Sequence, residues 1–112
     1  MEVFRHHIYE YQKGLRSLIL HTALASDVPE IESLLRQKGI AYHLSWLHNG
    51  RVNVFFGNGD CIRVLELIGK ENLSEYTPEE DFILGVMLGY GRLEQCRRYI
   101  SRNHATCAAA AD

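Results

Sequence analysis

Residues Phe55 to Asp60 spell FFGNGD, and the helix-like run CIRVLELIG follows at once. A strand, a Gly-x-Gly and a helix start can hold an anion, because the first amides of a helix point outward without partners. This stretch lacks the third glycine of a dinucleotide fingerprint and the lysine of a P-loop. Asp60, expected as the helix N-cap, would occupy those amides and repel a phosphate. The loop therefore reads as a change of chain direction. Cys61 falls in the first turn of that helix, where the dipole favours a thiolate. It also shares a stripe with Val64, Leu65 and Ile68, where cysteine serves as a small hydrophobe, and that is the role expected of it.

His21 and His43 alternate away from the best apolar face of their strands, on a second face with Asn53 and Ser45. Neighbouring strands lie about 5 Å apart, so His21, His43 and Asn53 could converge on a small ligand. A metal would need a third ligand or a carboxylate, and the strands supply none. His6 and His7 read as surface residues pointing in different directions. Gly85 and Gly89 form a GxxxG on an apolar helix, which suits a tight helix crossing or a ligand lying on bare backbone; close packing is the expected use. Arg92, Arg97, Arg98 and Arg102 make the last helix basic, with Glu94 spaced to pair with Arg97 or Arg98. Those four arginines are the candidate surface for an acidic partner. No serine–histidine–acid set, carboxylate pair or metal box emerges, so no enzymatic role and no cofactor are expected.

The elements that position these residues follow from periodicity. Val3, Phe4, Ile8 and Tyr11 mark a first helix over roughly residues 2–13, ended by Gly14. SLILHTALA, residues 17–25, reads as a strand buried on both sides. Asp27, Pro29 and Glu30 suggest a capping box for a helix with Val28, Ile31, Leu34 and Leu35 inward, ended by Gly39 with Ile40 folding back. AYHLSWL and RVNVFF flank His48-Asn49-Gly50. A three-residue turn sets Trp46 opposite Val52, Leu44 opposite Val54 and Tyr42 opposite Phe56, giving one apolar face; a two-residue turn would place serine and histidine among the valines. Cys61 to Ile68 form a helix stopped by Gly69. Thr77-Pro78-Glu79-Glu80 opens another, DFILGVMLGY, apolar on nearly all sides and so expected to be buried on more than one, and Gly91 should break it. Leu93, Cys96 and Ile100 mark a last helix. The alanine-rich tail, residues 103–112, could prolong that helix or fray.

This order predicts an α+β fold: a β-α-β-β-α ferredoxin-like unit lacking its last strand, with an N-terminal helix and two C-terminal helices, in one domain over residues 1–102. The first and third strands are expected as parallel neighbours, with the second at one edge. The missing strand would leave the first one open, so Leu18, Leu20, Thr22 and Leu24 are the expected dimer edge.

The 112 residues make one domain, 46% hydrophobic and 23% charged, with a net charge of −2 that predicts no general attraction to nucleic acid or membrane. Cys61, Cys96 and Cys107 show no metal spacing and suit a reducing cytoplasm. The N-terminus MEVFRHHIYEYQKG has no signal-peptide core, and no apolar run approaches a membrane span.

YQKGLRSLILHTA, WLHNGRVNVFFG and YTPEEDFILGVMLGYG together resemble a family of small bacterial proteins catalogued as domain of unknown function two thousand and twenty-three. The resemblance spans roughly residues 1–102 and implies three strands, several helices and a homodimer. Members encoded near flavodoxin imply a link to electron transfer, and the resemblance carries no active-site residues. The expected function is therefore a homodimeric, non-enzymatic, cytoplasmic interaction module whose partners are itself and an acidic redox protein such as flavodoxin. The alternative is a small-ligand sensor with His21, His43 and Asn53 at the dimer interface.

Overall fold

The structure is a computed structural model that describes the backbone of residues 1–111 and the side chains through His104. Its elements run α1 (Glu2–Gln12), β1 (Leu18–Leu24), a 3-10 turn, α2 (Val28–Gln37), β2 (Ala41–Trp46), β3 (Arg51–Gly57), α3 (Gly59–Ile68), a second 3-10 turn, α4 (Pro78–Met87) and α5 (Arg92–Ala111). The predicted α+β order is observed, and the sheet order β1-β3-β2 places β2 at one edge and β1 at the other.

The expected parallel pairing of the first and third strands is corrected: β3 is antiparallel to both neighbours. The cause is local. Helix α2 carries the chain back so that β2 runs the same way as β1. The tight hairpin then reverses β3, which inserts between them. The hairpin has the predicted three-residue turn, with Leu47 N–H donating to the Arg51 carbonyl at 2.9 Å and Gly50 at φ 76°. Trp46 pairs with Val52, Leu44 with Val54 and Tyr42 with Phe56.

Both faces of the sheet are covered. Facing pairs in an antiparallel ladder point the same way, and successive residues alternate. Ile19, Ala23, Val52, Val54 and Phe56 therefore meet Phe4 and Ile8 of α1 and Val28, Ile31 and Leu35 of α2. On the opposite face Leu18 and Phe55 meet Ile62 and Leu65 of α3 and Leu84 and Leu88 of the α4 segment. Phe55 and Phe56, adjacent in sequence, thus anchor two cores, and each contributes roughly 2–3 kcal/mol by leaving water. The strand buried on both sides is the central β3. The first strand was expected in that role, but β1 runs from buried Leu18 and Ile19 to exposed Thr22 and Leu24, because it borders the sheet.

Several end signals act as read. Ile40 N–H donates to the Leu35 carbonyl at 2.9 Å while Gly39 takes φ 67°. Thr77 and Glu80 form the reciprocal capping box. Others move. Asp27 makes no side-chain cap, because the chain enters α2 through the 3-10 turn Ala25–Asp27 and holds Asp27 in helical geometry. Asn58, not Asp60, caps α3, its Oδ1 accepting from Asp60 N–H at 2.8 Å. Helix α4 ends at Met87, with Gly89 at φ 83°, before the expected break at Gly91. It is also open on one side, with Ile83 and Val86 exposed. Leu93, Cys96 and Ile100 are exposed on α5, whose buried residue among those described is Gln95. The backbone of α5 runs helical to Ala111, while the tail's side chains from Ala105 onward and Asp112 lie outside the described residues.

Candidate functional site

The sheet separates the three residues expected to share a ligand. His43 and Asn53 lie on the α3 side, His43 opposite Phe55 and Asn53 in the row with Ser45. His21 pairs with Val54 and lies on the other face, packed edge-on to Phe4 at 5.2 Å between ring centroids. Shifting along a strand by one residue reverses the side chain, and His21 has the parity of Ile19 and Ala23, not of Leu20 and Thr22. The residue that does join Asn53 is Thr22, whose hydroxyl donates to Asn53 Oδ1 at 2.8 Å. Ser45, next in the row, donates to the Glu71 carbonyl. The row thus ties β1 to β3 through side chains and β2 to the segment after α3. Within one chain His21 therefore lies across the sheet from His43 and Asn53, and the three do not share a face.

His7 was read as a surface residue, yet it sits between α1 and β1, its ring 5.3 Å from that of His21. Its Nδ1 is buried and, among the described residues, has no hydrogen-bond partner. Burial pushes the pKa of His7 down, opposed by Glu10 and aided by Arg16 and His6. Burial likewise lowers His21, with His7 and the N-terminus adding and Asp27 opposing. His6 behaves as expected on the surface, 3.1 Å from Glu10. The Cys61 thiol is pushed up, first by burial and then by Asp60, so it stays protonated and packs as a small hydrophobe.

The arginine helix divides in two. Arg98 grips Asp81 of α4 through two hydrogen bonds of 2.7 and 3.0 Å, and Arg102 Nη1 lies 2.8 Å from the same carboxylate. The Arg98 guanidinium holds the Asp81 pKa below its usual range. Arg102 also donates to the Tyr76 carbonyl. These two arginines fasten α5 to α4, a role that sequence reasoning missed because Asp81 is distant in the chain. Arg92 and Arg97 are exposed and, among the described residues, make no ion pair.

The two glycines of GxxxG do separate jobs. Gly89 takes φ 83° past the end of α4, with open space around it. At Gly85 a Cβ would lie 1.9 Å from Gln95 Oε1, so the missing side chain is what lets the Gln95 carboxamide rest on α4. Close packing was the expected use, and a polar group does the packing. Beside it a cleft of about 410 Å³ runs between the α4–α5 hairpin and β1 at Leu20.

The α/β/α layering, a polar row across the sheet and a charge-clamped helix hairpin define a small α+β domain. Among the described residues no group of three His, Cys, Asp or Glu could hold a metal, and no helix is long and apolar enough to cross a membrane. The family of unknown function DUF2023 matches residues 2–102, and the chain belongs to it. No curated protein gives a significant match.

Proposed function

We propose that this chain is a non-enzymatic interaction module that works as a homodimer joined at the outer edge of β1, in a reducing cytoplasm. One observation carries the reading. Asn58 N–H donates to the Ser17 carbonyl and Ala25 N–H to the Gly50 carbonyl, so the odd-numbered residues of β1 bond inward to β3. The even-numbered residues Leu18, Leu20, Thr22 and Leu24 then turn their N–H and C=O groups outward, where no further strand stands in the sheet. A seven-residue edge without bulge or proline is a template for another strand. Antiparallel pairing of two such edges about a two-fold axis matches each donor to an acceptor. The second partner proposed is an acidic redox protein such as flavodoxin, met by Arg92 and Arg97, while Arg98 and Arg102 hold the hairpin that presents them.

The test is Leu24→Pro. Leu24 already has φ −74°, which proline accepts, and its outward N–H bonds nothing in β3, so the fold should survive. Light scattering should report twice the 12.8 kDa chain mass for the native protein and a shift towards one chain for the variant. A native protein that stays a single chain at high concentration overturns the reading. For the redox partner, titration with flavodoxin should show salt-sensitive binding that Arg92→Glu with Arg97→Glu removes.

A further inference from the structure

We infer that the cleft between β1 and the α4–α5 hairpin binds a neutral planar heterocycle of the nucleobase or nucleoside class through Gln95. This stands whether or not two copies pair at β1. Gln95 is only 5% exposed, lies on the cleft wall, and among the described residues its carboxamide has no hydrogen-bond partner. Its oxygen and nitrogen both keep contact with solvent, since the fully buried, unpartnered side-chain atom among the described residues is His7 Nδ1, so a ligand would replace water at this amide. The chain keeps a glycine at position 85 that lets this amide lie flat against α4. Helix-interior glycine is itself unfavourable by about 1 kcal/mol relative to alanine. That glycine holds one donor and one acceptor, side by side, on a wall where Leu20, Leu84 and Leu88 alternate with Asp81, Glu94 and Arg98.

The rest of the wall selects the ligand. Leu20, Leu84 and Leu88 offer apolar surface to the faces of a ring. At about 410 Å³ the cleft falls in the size range of small-molecule sites and has room for a base with its sugar. The Gln95 Nε2 donor and Oε1 acceptor match the adjacent acceptor and donor on the edge of a nucleobase, the pairing by which glutamine reads such edges elsewhere. Charge argues against phosphate. Arg98 is committed to Asp81, and Glu94 adds a further negative charge to the lining. A dianionic group would meet a surface already balanced towards the acidic side.

The experiment is a titration of the ¹⁵N-labelled full chain with adenosine, uridine and their 5′-monophosphates. The expected result is a saturable shift of the Gln95 side-chain NH₂ and Gly85 amide signals by at least one nucleoside, with the matching monophosphate weaker by about tenfold, the size of one unfavourable charge contact. Gln95→Leu should weaken the nucleoside by about tenfold or more, since a hydrogen-bonding pair is lost. If that variant fails to fold, Gln95→Glu, of the same shape but without the donor, should give the same loss. Gln95 signals that stay still up to about 10 mM of either nucleoside, beyond the weakest useful affinity, overturn the proposal. So does undiminished binding by a folded Gln95 variant.

Discussion

Gly57 and Gly59 stand two residues apart, at the end of β3 and the start of α3, and the structure assigns them opposite sensitivities. At Gly57, with φ 148°, an added Cβ would lie 2.2 Å from the Ser17 carbonyl oxygen and 3.1 Å from Leu18 Cα. Both are backbone atoms of the chain entering β1, so no side chain can swing aside. Relief requires β1 and β3 to part by about 1 Å, more than a close-packed interior yields without loss. That motion breaks the 2.8 Å hydrogen bond from Asn58 N–H to the Ser17 carbonyl, worth about 1 kcal/mol. The backbone angle, which suits only glycine, adds about 1–3 kcal/mol. With the residual overlap, Gly57→Ala should cost about 3–5 kcal/mol, in the range reserved for a few severe mechanisms. For 112 residues the unfolding entropy is about 0.24 kcal/mol/K, so the melting temperature should fall by roughly 12–20 °C. At Gly59 nothing lies within 4 Å of the added atom and the backbone is helical. Gly59→Ala should therefore be neutral or stabilising by up to about 1 kcal/mol. Urea unfolding of the two variants beside the native chain, with equal slopes, reads both effects. A Gly57→Ala loss below about 1 kcal/mol, or an equal loss at Gly59, would refute the close-approach account.

Three further outcomes are expected. Asp81→Asn removes the negative charge, and one of the two acceptor oxygens, that Arg98 and Arg102 share. With Arg98 half exposed and screened, the loss should be about 1–2 kcal/mol at neutral pH. Because the folded pKa of Asp81 is lowered, its contribution is complete above the ordinary carboxylate range and vanishes as pH falls through the folded value, so native and variant stabilities should converge in acid. His7 and His21 have lowered pKa values, so the unfolded chain takes up protons first; stability should be full above the unperturbed value of 6.5 and fall as pH drops below it. Urea midpoints at two pH values should show a shallower acid loss in His7→Leu, and an unchanged slope would count against the buried pair. Gln95→Leu, which exchanges a carboxamide that still reaches solvent for an apolar side chain of similar size, should change stability by less than about 1 kcal/mol in the absence of ligand; a larger loss would mean the amide is satisfied in the fold.

Local chemistry determined much of this protein from the sequence alone. The helix at Thr77-Pro78-Glu79-Glu80, the turn at Gly39 and the Asn49-Gly50 hairpin register depend on residues close in the chain, and each forms as its own types and spacing require. Strand order followed as well, since a tight hairpin and an intervening helix leave few ways to arrange three strands. Only the tertiary structure decided which faces meet. The parity of β1 against β3 put His21 with Phe4 and His7, across the sheet from His43 and Asn53, and a displacement of one residue suffices to reverse that. Arg98 found Asp81 seventeen residues away, and Gln95 found Gly85 across a helix crossing. Partners so placed are chosen by the packing of whole elements, which sums many weak contacts along the chain, so no short stretch of residues encodes them.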